Sequence, residues 1–66
     1  RVDMAVVLWG KLYLIEIKLD RSAREALEQI EIKEYDRRFA LCGLPVVKVG
    51  VNFSTAERTI TEWIIG

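Results

Sequence analysis

The sequence predicts an α/β fold in which a mixed β-sheet carries one helix. Three observations indicate it: two apolar segments around Trp9-Gly10-Lys11, a capping motif followed by helical periodicity, and an alternating apolar segment after Pro45. With 66 residues, the chain has room for a single domain over residues 1–66. Hydrophobic residues make up 52% of the chain, a composition typical of a sequence with a folded core.

The first two strands are predicted to form an antiparallel hairpin. Residues 2–8 and 12–19 are rich in Val, Ile, Leu and Tyr, and Gly10 between them supplies a permissive turn position. Both segments are apolar at successive positions, so both faces of each strand are apolar. This pattern is typical of strands inside a covered sheet.

The helix is predicted to begin after the capping box Ser22-Ala-Arg-Glu25, where the apolar period changes from two to 3.6. We expect it to run to about Phe39, and we interpret its balanced charges as a solvated face. The stripe predicted to face the core contains Ala23, Ala26, Leu27, Ile30 and Glu34, and it is widened by Ile32, Tyr35 and Phe39.

A parallel strand is predicted after the helix. Gly43 and Pro45 end the helix, because glycine accepts a left-handed conformation and proline cannot continue a helix. Residues 46–53 then alternate as a strand, and a strand–helix–strand unit pairs its strands in parallel. Residues 59–65 are predicted as a final, weaker strand.

Composition excludes several classes of site. The chain contains no histidine and one cysteine, Cys42, which rules out a His-dependent triad, a His–Cys zinc site and an internal disulfide. Ten basic and ten acidic residues cancel, so the bulk basic surface of many nucleic-acid binders is missing, although an acidic metal site would offset a local basic surface.

No apolar run approaches the ~20 residues of a membrane span. An unpaired cysteine favours the cytoplasm.

Asp3, Glu16 and Lys18 interrupt otherwise apolar strands. Buried charges need a partner or a metal, so the three residues call for one explanation. A two-residue turn at Gly10-Lys11 would place Asp3 opposite Lys18 and Ala5 opposite Glu16, with all four side chains on one face. A three-residue turn would instead oppose Asp3 to Ile17 and divide the cluster between the two faces.

Two carboxylates and an ammonium group on one face suit the divalent-metal hydrolysis of a phosphodiester. Asp3 and Glu16 offer oxygen ligands for Mg²⁺ or Mn²⁺, and the carbonyl of Ile17 is a further candidate ligand. Lys18 would orient or help to deprotonate the attacking water, or neutralise the phosphorus centre. The alternatives are a strand-start role for Asp3 and a surface ion pair between Glu16 and Lys18.

The order Asp3, hairpin turn, Glu16-Ile17-Lys18 resembles the PD-(D/E)XK nuclease superfamily, which has the restriction-endonuclease-like fold. Gln29 stands where that family often carries a glutamine facing the metal site, although an ordinary polar helix position is the alternative. The segments 14–20, 26–29 and 49–54, together with Tyr35, further resemble the branch found at the C-terminus of predicted AAA-ATPase-like bacterial proteins.

The resemblance implies a metal-dependent nuclease acting on DNA or RNA, with an ATPase-like domain in the same parent chain. Val2 replaces the proline of the family name, and the helix and strand that open the family's core do not precede Arg1. We therefore expect a fragment truncated at its N-terminus, and a homodimer in which a second copy supplies missing surface. A catalytically inactive nuclease fold that serves oligomerisation or partner binding is the alternative.

Overall fold

A computed structural model describes residues 3–32 and 43–66 of the chain. Four strands form one mixed sheet in the order β1-β2-β3-β4, with the helix between β2 and β3 in the chain. This arrangement confirms the predicted hairpin, the parallel β2–β3 pair and the final strand, which is antiparallel to β3. The elements are β1 (Met4–Leu8), β2 (Lys11–Leu19), α1 (Ala23–Ile32), β3 (Val46–Ser54) and β4 (Thr59–Ile65).

The start of α1 agrees with the sequence prediction. The backbone N–H of Glu25 donates to the hydroxyl of Ser22 at 3.1 Å, and that hydroxyl donates to the Glu25 carboxylate at 3.5 Å. Gly43 has a φ of 75°, a left-handed conformation that favours glycine. The predicted extension to Phe39 lies outside the described residues.

The predicted hairpin register is wrong by two residues. The turn consists of Trp9 and Gly10, so that Leu8 pairs with Lys11 and Ala5 with Leu14. Both turn residues have positive φ, 49° and 74°, which is the requirement of the type I′ turn that matches strand twist. Gly10 is therefore the second residue of the turn, whereas the predicted turn had Gly10 as its first residue. A shift of two residues leaves every side chain on its predicted face.

α1 packs on one face of the sheet and approaches β3 closely at Gly50. A Cβ built on Gly50 would lie 2.5 Å from the backbone nitrogen of Leu27 and still closer to the carbonyl oxygen of Ala23. The absence of a side chain at Gly50 therefore determines how closely the backbone of α1 approaches β3. The predicted stripe is buried at Ala23, Ala26, Leu27 and Ile30, and Ile30 clusters with Leu12 and Leu14 of the sheet. The other predicted members, Ile32, Glu34, Tyr35 and Phe39, lie outside the described side chains.

No described residue covers the other side of the sheet, which we call the open face. Seven of its large apolar side chains are between 38% and 66% exposed. Among the described residues, the prediction that both faces of the first two strands are covered is met on the helix side of β2 alone, because Val7, on the helix side of β1, is 63% exposed. These seven are Met4, Leu8, Ile17, Leu19, Ile60, Trp63 and Ile65.

The described part of the chain has no helix of the length and apolarity that crossing a bilayer requires.

We predict that Gly50→Ala lowers the free energy of unfolding by about 1–3 kcal/mol, because the new methyl group meets helix backbone that cannot rotate away. Gly66→Ala is the matched control. Its Cβ would meet the ends of the flexible Leu27 side chain, at 2.7 Å from Cδ2, so we expect a change within about 0.5 kcal/mol. Urea unfolding followed by circular dichroism measures both, and equal effects would contradict the proposed helix contact.

Candidate metal centre

Glu16 lies on the helix-facing side of β2, beside Gly50 of β3. It is only 7% exposed, and its Oε1 atom is buried without a hydrogen-bond partner among the described residues. A buried carboxylate oxygen without a partner is costly, because the water that it loses is not replaced. A cation or a bound water that contacts Oε1 would remove this cost.

Asp3 lies just before β1 and is exposed. Its Oδ2 atom accepts a hydrogen bond from the backbone N–H of Ile17 at 2.8 Å, so the side chain binds the backbone of β2 one residue before β1 begins. Since Met4 pairs with Ile15, Asp3 falls one step further along, next to Glu16. The predicted pairings of Asp3 with Lys18 and of Ala5 with Glu16 are wrong, because the turn lies one residue earlier.

Lys18 follows Glu16 on the same side of β2, and its ammonium group donates to Oε1 of Gln29 at 3.5 Å. Both side chains are half-buried. The contact joins the strand that carries the candidate acid and the helix that packs on it. The structure thus brings Lys18 and Gln29 together, while Asp3 is associated with the Glu16 end of the cluster.

The carbonyl of Ile17 lies on the β1 side of β2. The N–H of Ile17 points to Asp3, and the N–H and C=O of one strand residue point to the same side. Among the described residues, the β1–β2 pairs end at Met4 and Ile15, so none of them pairs with this carbonyl.

The described residues contain no cluster of three or more His, Cys, Asp or Glu side chains arranged to hold a metal ion. Two carboxylates are nevertheless a sufficient protein contribution for Mg²⁺, which keeps several of its own waters. The unpartnered Oε1 of Glu16 and the neighbouring carboxylate of Asp3 fit a hydrated divalent ion of this kind.

A second polar group, missed by the sequence analysis, holds the junction between β2 and α1. Oδ1 of Asn52 accepts from the N–H of Arg21 at 2.8 Å, and the Glu62 carboxylate accepts from the N–H of Ala23 at 2.6 Å. Asn52 had a detectable signal, since it is polar at a helix-facing position of an apolar strand.

Asp20 fastens the same junction to the β3–β4 turn. Its carboxylate accepts from the hydroxyl of Thr55 at 2.5 Å and from the N–H of Thr55 at 2.9 Å. The hydroxyl bond, followed by the backbone bond, lowers the pKa of Asp20 below its usual 3.8. Asp20 therefore stays ionised and bound to Thr55 throughout the neutral range.

Comparison with known proteins places the chain in a family context. The family model of the PD-(D/E)XK nuclease superfamily matches residues 1–63. A protein of Azotobacter chroococcum mcd 1, described as "Uncharacterized protein in vnfD 5′region", is 33% identical over 67 residues, which cover 98% of this chain and 13% of that protein. The chain thus spans a small part of that relative's length. No solved structure matches it.

Proposed function

Because this chain belongs to the PD-(D/E)XK nuclease superfamily, we propose that it is a metal-dependent nuclease domain that hydrolyses phosphodiester bonds, with DNA as its substrate. The observation that carries the proposal is the buried carboxylate of Glu16, whose Oε1 atom has no partner among the described residues. A cation would relieve that unfavourable burial, and the adjacent groups are those that phosphodiester hydrolysis needs.

Asp3 and Glu16 hold the ion, with the Ile17 carbonyl as a third protein ligand. Oxygen donors of this type suit Mg²⁺ or Mn²⁺. When bound, such an ion acidifies water and offsets the negative charge that builds on the phosphate. The hydrogen bond from Ile17 N–H to Asp3 Oδ2 supports this assignment, because it fixes the Asp3 carboxylate beside Glu16.

Lys18 acts on the attacking water or on the charged phosphate, and Gln29 orients Lys18. An ammonium group supplies either a proton-transfer partner or a fixed positive charge where negative charge develops. The 3.5 Å contact between Lys18 Nζ and Gln29 Oε1 supports this pairing, since it limits the rotamers open to the lysine.

The parent protein is proposed to join this domain to an AAA-ATPase-like domain and to work in the cytoplasm. The ATPase link rests on the sequence resemblance to domains at the C-terminus of such proteins. The relative from Azotobacter chroococcum, in which the matched region is 13% of the whole, has ample length for further domains. The cytoplasmic location rests on the unpaired Cys42.

The open face is proposed to pair with a second copy of the chain. Its seven exposed apolar side chains present on the order of 700 Å², more than the largest patch of a typical monomer and close to the ~800 Å² that each partner buries in a standard interface. The charged strand residue on the described part of this face is Lys11, at the hairpin end. Two copies therefore meet without opposing charge clusters, as in sheet-on-sheet packing.

The same open face favours the second candidate function, a catalytically inactive module for oligomerisation. Such a module needs the apolar surface and makes no use of the metal site. Metal binding separates the two functions, because a module retained for association alone has no need for a cation at Glu16.

We predict that Mn²⁺ broadens the side-chain amide signals of Gln29 and Asn52, because both residues lie on the helix side of the sheet near Glu16. The chain has one glutamine and one asparagine, so its NMR spectrum contains two side-chain amide pairs, and Gln29 is identified without ambiguity. Glu16→Leu removes the candidate ligand and keeps the buried position apolar. It is expected to weaken Mn²⁺ binding at least about tenfold by calorimetry and to abolish the broadening.

Glu57→Leu is the matched control, because Glu57 is exposed in the turn before β4. It should bind Mn²⁺ like the wild type. Undiminished broadening of Gln29 in Glu16→Leu, or none in the wild type, would exclude the proposed metal site.

A cleavage assay tests the role of Lys18. With Mn²⁺ or Mg²⁺ and single-stranded or double-stranded DNA, Lys18→Met is expected to lower the cleavage rate at least about a hundredfold, because it removes the ammonium and keeps most of the side-chain length. Mn²⁺ affinity should stay within a few-fold. Lys11→Met, at the hairpin end, should retain activity. Equal activity of Lys18→Met and the wild type would remove Lys18 from the mechanism.

Sedimentation velocity tests the homodimer. We predict that Trp63→Lys weakens association by about 30-fold or more, as expected when a central aromatic anchor worth about 2 kcal/mol is lost. Trp9→Lys makes the same exchange at the hairpin turn, where Trp9 is 87% exposed and belongs to neither face, and it should leave association unchanged. A wild type that stays monomeric at high concentration would refute the proposal that a second copy covers the open face.

A further inference from the structure

Asn52 of β3 and Glu62 of β4 fix the start of α1 from the helix-facing side of the sheet. Arg21 and Ala23 lie on either side of the capping residue, and their backbone N–H groups donate to these two side chains. Ala23 is the first residue of α1, so its N–H has no partner within the helix and the Glu62 carboxylate satisfies it; the bond to Arg21 holds the residue just before the cap. Ser22 caps the helix locally, whereas Asn52 and Glu62 attach it to β3 and β4.

A bulge in β4 makes this attachment possible. The register shifts between Asn52 and Phe53, such that Asn52 pairs with Glu62 while Phe53 pairs with Ile60. Thr61 is the extra residue, and its hydroxyl accepts from Nδ2 of Asn52 at 3.0 Å. The bulge therefore directs both Thr61 and Glu62 towards the helix side, where regular alternation would send one of them to the open face.

Both ends of the Lys18–Gln29 contact depend on this junction. Lys18 lies on β2, two residues before Asp20, and it pairs with Asn52 on the neighbouring strand β3. Gln29 lies six residues after Ala23, about 9 Å along the helix. At 3.5 Å the contact is at the long limit for a hydrogen bond, so a small displacement of the helix start breaks it.

We propose that Asn52 and Glu62 are positioning residues, which hold Gln29 against Lys18 by fixing the start of α1 to β3 and β4. This inference deepens the proposed nuclease function and rests on it for the catalytic consequence alone. Neither residue touches the candidate metal ligands in the contacts described. Their effect passes through the backbone of Arg21 and Ala23 to the helix.

The side-chain amide signal of Gln29 tests the proposal without any need for activity. Lys18→Met gives the reference position of a Gln29 amide that has lost its lysine. Glu62→Ala and Asn52→Leu are expected to shift the Gln29 signal at least halfway towards that reference. Glu62→Gln keeps an acceptor oxygen for Ala23 and should retain the wild-type position; its added amide pair is recognised by its absence from the other spectra.

Cleavage and metal binding give the second readout. Glu62→Ala is expected to lower kcat about tenfold or more, since misplaced groups lose catalytic efficiency steeply, while KM and Mn²⁺ affinity stay within about twofold. Glu62→Gln should restore kcat. Glu57→Ala, which removes an exposed carboxylate from the neighbouring turn, should change neither the Gln29 signal nor kcat.

A wild-type Gln29 signal in folded Glu62→Ala and Asn52→Leu would overturn the proposal, because a purely stabilising role lowers only the unfolding midpoint. If the wild type neither binds Mn²⁺ nor cleaves DNA, the nuclease function fails, and the Gln29 signal still decides whether Asn52 and Glu62 position the helix.

Discussion

The close approach of α1 to the sheet at Gly50 is the constraint on which the rest of the structure depends. Without a side chain at this position, the helix backbone lies directly on β3. The approach buries Glu16 in the neighbouring strand and brings Gln29 within reach of Lys18. A larger residue would lift the helix and open both features together. The packing of the core and the geometry of the candidate site therefore share one cause.

Local signals in the sequence were sufficient for most of the fold. The capping box, the 3.6-residue stripe and the alternation after Pro45 each reflect short-range physics, and each corresponds to an observed element. The hairpin register was wrong, because Trp9 adopts a positive φ that its residue type does not suggest. Since the error was two residues, Glu16 and Lys18 still lie on the predicted face. Asp3 lies next to Glu16, whereas the predicted register placed it opposite Lys18.

The candidate site was accessible from the sequence where charge interrupted an apolar strand, as at Glu16 and Lys18. The role of Glu62 was not accessible in this way. It follows from a bulge in β4, and an extra residue in one strand leaves no trace in the alternation of a short polar segment such as Thr59-Ile-Thr-Glu62. Asn52 occupies an intermediate place, because its polarity was visible while its partners, Arg21 and Thr61, come from distant parts of the chain.

The bulge in β4 has a consequence for how molecules of this protein meet. β4 forms one border of the sheet, where unpaired backbone groups would otherwise invite an added strand from another molecule. The extra residue twists and kinks that border, so an approaching straight strand finds its hydrogen-bonding groups out of step halfway along. Growth of the sheet in its own plane is thereby discouraged, and stacking of flat surfaces becomes the easier mode of contact.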